Sequence, residues 1–153
     1  MKNLNWAFIG AGGMAHETAE ALKLSGRNLY AVWNRTTARA EELAKKYGAK
    51  VYEDCDEMLS NKNIDIVYIA TTHDNHIDFL RKALNAKKHV LCEKSITLNS
   101  SELDEAETLS QKNGVMLGEA MTIWHMPLYE KIEKIIDGGE LGRIMMMTGF
   151  TAV

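Results

Sequence analysis

The chain has 153 residues, a net charge of −3, and an ordinary balance of 46% hydrophobic and 25% charged residues, which suits one soluble domain with a real core. The slight negative charge leaves no basic field for nucleic acid, and no apolar run approaches the ~18 residues of a membrane span. Cys55 and Cys92 form no CxxC pair and no metal spacing, so they read as reduced thiols of a cytoplasmic protein, and the short apolar run near the start is too brief for a signal peptide.

Short apolar runs alternate with helix-like segments along most of the chain. Trp6–Ile9 reads as a buried strand, followed by a helix over Met14–Leu24 that stops at Ser25-Gly26. Leu29–Trp33 is a second strand, and Thr37–Tyr47 a helix ended by Gly48. A short strand at Lys50–Tyr52 and a brief helix over Asp56–Ser60 follow. Ile64–Ala70 is a clear apolar strand, Asn75–Ala86 a helix, and His89–Cys92 a strand. Ser101–Lys112 is an amphipathic helix closed by Gly114, and Val115–Leu117 another strand. Pro127, the single proline, suits the first turn of a helix running to about Asp137, which Gly138-Gly139 ends. The alternation predicts an α/β fold, a doubly wound parallel sheet with helices on both faces. Continuous rather than alternating apolar strands agree, because such strands are buried on both sides. The last stretch, "RIMMMTGFTAV" over Arg143–Val153, reads as the start of a strand whose partner is not in the chain, with Met145, Met146 and Met147 as strand core. Either that strand pairs within a dimer or the chain is the front part of a longer protein, and the second is the favoured expectation.

"FIGAGGMA" places Gly10, Gly12 and Ala15 as G-x-G-x-x-A directly after a strand and opening a helix, the context a dinucleotide fingerprint requires. Gly10 permits the tight turn, Gly12 lets backbone approach a pyrophosphate, and Ala15 lets the helix close on the sheet, as in the Rossmann fold. Gly13 lies in the loop and Met14 begins the helix, whose free N–H groups face the phosphates. A methyl-donor nucleotide is the competing ligand for such a loop. The second strand then ends in Asn34-Arg35-Thr36, where an acidic residue would hold ribose hydroxyls. No carboxylate stands there to repel a 2′-phosphate. Arg35 can form a charge-assisted bond to it, with Thr36 or Arg39 adding donors. This points to NADP, with NAD as the lesser option, and away from the methyl donor. The bland alternative is a solvated arginine at a helix start.

Ligands of open α/β sheets sit at the carboxyl ends of the strands. Thr71-Thr72, Glu93-Lys94 and Glu119-Ala120 each follow a strand in this reading and share the rim of the glycine loop. A lysine there, partly buried and so lowered in pKa, can exchange a proton with a substrate hydroxyl. Glu93 would orient that ammonium or bond to the nicotinamide ribose. A rim ion pair of little energetic value is the plain alternative.

"GAGGMA", "TTHDNH", "KKHVLCEKS" and "GEAM…HMPLYEKI", in this order over nearly the whole chain, resemble the glucose–fructose oxidoreductase / inositol dehydrogenase family. The Glu-Lys motif after "HVLC" is the specific part. The resemblance implies an oxidoreductase that moves a hydride between NAD(P) and a sugar, polyol or related alcohol or carbonyl. It makes Lys94 the catalytic, proton-handling residue beside the cofactor and Glu93 a cofactor contact. Thr71, Thr72, His73 and His76 match the segment packed against the nicotinamide half, and Glu119 a further cofactor-side turn. Ser95 stands where the family has proline, Thr72-His73 where it has Pro-Asn, and Trp124 where many members have arginine. The resemblance divides the chain into a dinucleotide-binding domain over 1–120 and, over 121–153, a connecting helix and the first strand of a truncated α+β substrate domain. That missing domain supplies a catalytic histidine and most of the dimer contact. The full-length protein is thus expected to be a homo-oligomer and this fragment inactive alone. A non-catalytic nucleotide-binding or redox-sensing module is the alternative from another class.

Other residues have plainer readings. The spacing of His73 and His76 could suit a metal but lacks a third ligand, so no metal is expected. His125 precedes a helix and His16 lies on a helix surface. Cys92 reads as an inert buried thiol, and Glu41-Glu42 with Lys45-Lys46 as a solvated helical face.

Overall fold

The computed structural model describes residues 4–149, which fall into two compact units, one ending at Ala120 and one starting at Met121. The first unit holds six parallel strands: β1 (Trp6–Ile9), β2 (Leu29–Trp33), β3 (Lys50–Tyr52), β4 (Ile66–Ile69), β5 (His89–Cys92) and β6 (Leu117–Glu119). Between them run α1 (Gly13–Leu24), α2 (Thr37–Tyr47), α3 (Cys55–Ser60), α4 (His76–Asn85) and α5 (Ser100–Asn113). The strand order is β3-β2-β1-β4-β5-β6. The chain winds outward from β1, returns to β1's other side as β4, and winds outward again. The crevice at that reversal is where ligands of such sheets bind.

Helices on both faces explain the unbroken apolar strands. Ala7, Phe8 and Ile9 of β1 and Val67, Tyr68 and Ile69 of β4 are fully buried. One core packs Met58, Leu80, Leu84 and Ala106 against the sheet. The other packs Leu43 with Ala15, Ala19 and Ala40, and the three alanines are small enough to let α1 and α2 approach the sheet closely.

Local chemistry sets the element ends. Gly48 and Gly114 close α2 and α5 in the left-handed conformation, which glycine adopts without steric cost. The Asp54 carboxylate accepts the Glu57 N–H at 2.7 Å, so α3 starts at Cys55, one residue before the predicted Asp56. A 3₁₀ turn at His73–Asn75 takes up the chain before α4, which therefore starts at His76 rather than Asn75. The last strand differs more. Val115 donates its N–H to the Ser110 carbonyl at 3.1 Å and belongs to the closure of α5. The strand accordingly runs over Leu117–Glu119 instead of Val115–Leu117, and Glu119 is its final residue rather than lying beyond its end. Similarly, Ile64 donates to the Asn61 carbonyl and belongs to a turn, so β4 begins at Ile66 rather than Ile64.

The second unit contains a 3₁₀ turn at Thr122–His125 and α6 (Pro127–Asp137), with Pro127 in its first turn. Residues 143–149 form no strand, contrary to the reading of "RIMMMTGF". Met145, Met146 and Met147 are 79%, 81% and 67% exposed, not core. A strand exists only through ladder bonds to a neighbour, and the described part of this unit offers none. The remainder of that predicted strand, 150–153, lies outside the described residues.

Candidate functional site

The glycine loop joins β1 to α1. Gly10 has φ +107°, and a Cβ there would lie 2.4 Å from the Ala70 carbonyl oxygen. Only glycine lets these two strand ends come so close. A Cβ on Gly12 would meet nothing within 4 Å, so that position faces open space. Gly12 is also the N-cap of α1, and no side chain caps this helix. Its first N–H groups are therefore free for an anion, at the end where the helix dipole is positive.

Above the loop is a cleft of about 360 Å³ at the carboxyl ends of β1, β2 and β4. Of the residues singled out in the sequence, Gly10, Gly12, Asn34, Arg35, Thr36, Thr71 and Thr72 line it. Two of its lining side chains, Arg35 and Arg39, are cationic, and no lining side chain is a carboxylate. Asn34 organises the wall: its Oδ1 accepts the Ala11 N–H at 3.2 Å and its Nδ2 donates to the Thr36 carbonyl at 2.9 Å. Asp74 stands just beyond the lining. A hydrogen bond with Thr72 and, less strongly, the charge of Arg35 hold its carboxyl below the usual range.

The cleft also contains residues that sequence reasoning missed. Trp33 and Phe79 line one side, their ring centroids 5.4 Å apart and tilted by 55°. Asn75 lies beside them and donates to Thr72 Oγ1 at 2.7 Å. The position of Trp33 at the end of the second strand was a usable signal. Phe79 becomes visible only when α4 is laid on the sheet and its ring meets that of Trp33.

Glu93 and Lys94 follow β5, and their side chains part company. Glu93 is 7% exposed. Its Oε1 accepts the Tyr68 hydroxyl at 2.5 Å, and Tyr68 in turn accepts the Thr18 hydroxyl at 3.1 Å. Glu93 Oε2 accepts the Lys94 N–H at 3.3 Å. Burial first, and the bond to Glu93 second, push the Tyr68 phenol above its normal range. Lys94 is exposed, against the expectation of partial burial, because it projects from the strand end with nothing of this unit covering it. Among the described residues its ammonium makes no ion pair, so Glu93 does not orient it.

The remaining predicted residues are spread around this rim. Gly13 and the exposed Met14 open α1, outside the cleft lining. His73 is exposed, its ring edge-on to His76 at 5.5 Å. His76 is fully buried, with Nδ1 2.9 Å from the Ser95 carbonyl and Nε2 3.3 Å from that of Thr71. Glu119 accepts the Ile96 N–H at 2.9 Å and borders a separate groove with Ile96. Cys92 is fully buried, and burial pushes its thiol up to about 12. Lys46 departs from the simple solvated face by reaching Glu20 of α1 at 3.2 Å.

A family model described as an oxidoreductase family with an NAD-binding Rossmann fold matches residues 4–121. Inositol 2-dehydrogenase of Salmonella typhimurium is 32% identical over 147 residues, covering 92% of this chain and 43% of that protein. D-xylose 1-dehydrogenase (NADP(+)) of Hypocrea jecorina is 30% identical over 155 residues, covering 92% of this chain and 40% of that protein. The crystal structure of an NAD-binding oxidoreductase from Klebsiella pneumoniae matches with a TM-score of 0.79 at 30% identity, covering 92% of this chain and 40% of that one. The chain thus spans about two fifths of the length of the curated relatives it matches.

Proposed function

This chain belongs to the oxidoreductase family with the NAD-binding Rossmann fold, and from that premise we propose that it is the cofactor-binding part of an enzyme moving a hydride between NADP(H) and a sugar, polyol or related alcohol. The observation that carries the cofactor preference is the cleft over the glycine loop, lined by Arg35 and Arg39 and by no carboxylate. A dianionic 2′-phosphate is attracted by such a wall, whereas an acidic residue would favour the free ribose of NAD. The glycine loop fits a dinucleotide, since Gly12 leaves open space and the start of α1 is uncapped.

Each residue has a role in this reading. The backbone of Gly12, Gly13 and Met14 faces the pyrophosphate. Arg35 and Thr36 hold the 2′-phosphate, and Trp33 with Phe79 offers an apolar wall to the purine. Thr71 and Thr72 flank the middle of the dinucleotide. The bound nicotinamide supplies the hydride acceptor or donor. Lys94, exposed at the rim and free of an ion pair among the described residues, sits beside the nicotinamide half. Its Nζ hydrogen-bonds the substrate oxygen: the neutral amine takes up that oxygen's proton as the carbon is oxidised, and the ammonium returns it as the carbon is reduced.

Supporting the substrate class, the relatives are named for inositol and D-xylose. The greater length of those proteins supports residues 121–153 as the opening of a second, substrate-covering domain. Exposed Trp124 and Leu128, at 71% and 62%, are apolar surface for that domain to cover in a homo-oligomeric whole. Two free, buried cysteines suit a reducing, cytoplasmic compartment. Among the described residues no helix is long and apolar enough to cross a membrane.

The test is a fluorescence titration of this chain with NADPH and then NADH. NADPH is expected to bind the tighter. Arg35→Ala should weaken NADPH about 10- to 100-fold, the loss of one charge-assisted phosphate contact, and leave NADH nearly unchanged. Equal losses for both would refute the 2′-phosphate assignment.

A further inference from the structure

Three consecutive backbone groups after β5 are each held by a side chain. The Lys94 N–H donates to Glu93 Oε2 at 3.3 Å. The Ser95 carbonyl lies 2.9 Å from His76 Nδ1, at the start of α4. The Ile96 N–H donates to Glu119 Oε1 at 2.9 Å, at the end of β6. Glu93 is itself anchored by Tyr68 of β4. Elements β4, α4, β5 and β6 therefore converge on one turn. The turn after β2, by comparison, is held by its own Asn34, which bonds Thr36 within it and Ala11 of the glycine loop.

The expense of this arrangement is chemical. His76 is fully buried and Glu93 is 7% exposed, and burying imidazole and carboxylate groups is costly unless they are hydrogen-bonded. A connection that only had to reach α5 would not need them. What the frame fixes is the backbone from which an exposed lysine projects. A long, flexible side chain loses more freedom in reaching one atom when its base also moves, and groups held from beneath place a reacting atom more closely.

We propose that His76 and Glu119 are positioning residues that act through Lys94, rather than contacts of the cofactor itself. Neither lines the glycine-loop cleft. Both reach it only through the Lys94–Ile96 turn, apart from the His76 Nε2 contact to the Thr71 carbonyl at 3.3 Å. Each ring nitrogen of His76 faces one carbonyl, and the shorter contact is that of Nδ1 with Ser95. The inference rests on the reading of Lys94 as a residue that contacts the nicotinamide half of the cofactor as well as the substrate oxygen.

The test uses this chain and two ligands. NADPH spans the whole site. 2′,5′-ADP carries the adenosine half with its 2′-phosphate and no nicotinamide. Glu119→Ala should weaken NADPH about tenfold and 2′,5′-ADP less than about twofold, the scale of one lost hydrogen bond. Glu119→Gln, which keeps an acceptor of the same reach, should restore NADPH to within about threefold of the wild type. His76→Asn, whose amide stands in for the Nδ1 donor, should do likewise. On a Lys94→Ala background the effect of Glu119→Ala should vanish, because coupled groups are non-additive. Equal weakening of both ligands would mean general softening and overturn the proposal. So would no change in either, or an undiminished loss on the Lys94→Ala background. A wild-type chain that binds neither ligand would instead overturn the nucleotide reading beneath it.

Discussion

A Cβ on Gly10 would meet the Ala70 carbonyl at 2.4 Å in a backbone of φ +107°, whereas one on Gly12 would meet nothing within 4 Å. The two glycines of one motif therefore serve different ends, and their alanine variants should separate. Gly10→Ala should cost at least about 2 kcal/mol of stability, from strained φ and contact with backbone. Gly12→Ala should cost under about 1 kcal/mol yet abolish NADPH binding, because its methyl occupies the space the pyrophosphate needs. Urea unfolding and an NADPH titration on both variants check this. The two thiols make a second residue-scale prediction. Burial pushes Cys55 and Cys92 up to about 12 from a reference of 9.0. With folded values raised, the native state keeps its protons longer than the unfolded chain. Stability is then unaffected below pH 9 and falls as pH rises from about 9 towards 12. A urea midpoint that declines across that window, with labelling by a thiol reagent at pH 8 seen only after unfolding, is the expected result. At this scale the glycine loop and Arg35 were legible because their chemistry is local. Tyr68 was not, because its role depends on a residue 25 positions away.

Most elements were legible too, since a buried parallel strand is a continuous apolar run and each helix carries its own stop signal. The exceptions have local causes that propensity does not encode. Val115 looks like a strand residue by type, but its N–H closes α5, and this moved β6 and with it Glu119. The start of α5 shows the converse, a boundary set by side chains. Asn99 Oδ1 accepts the Glu102 N–H at 3.0 Å, and Glu102 Oε2 accepts the Leu98 N–H at 3.0 Å, a reciprocal cap at the end of the turn that carries Lys94. Asn99→Ala should cost about 1 kcal/mol in thermal or urea unfolding, and Asn99→Asp should recover most of it. Arg81 joins α4 to α5 through a two-pronged contact with Glu105, both at 2.7 Å. It links two helices whose contact no sequence pattern shows.

For the molecule as a whole, the described residues lining the cleft all lie between Gly10 and Phe79, inside the unit that ends at Ala120. A chain ending at Ala120 should therefore bind NADPH within about twofold of the 153-residue chain. A much weaker affinity, measured by the same titration, would show that residues 121–153 contribute to the cofactor site. The site exists because the strand order reverses between β1 and β4. The loops after these two strands diverge there, and the opening is left at their carboxyl ends.

By itself the sequence determined the α/β class, the strand-by-strand alternation, the glycine loop and the cationic end of the second strand. These are short-range properties: period, turn chemistry and charge act over a few residues. Only the tertiary structure decided which of the rim residues share a cleft and which do not. It brought Trp33 and Phe79 together as a wall. It turned Glu93 inward to Tyr68 and left Lys94 exposed. It also set His76 and Glu119 against the backbone of the Lys94 turn. Those contacts join strands and helices distant in sequence. Their partners are chosen by strand order and register, which emerge only when both faces of the sheet are buried together.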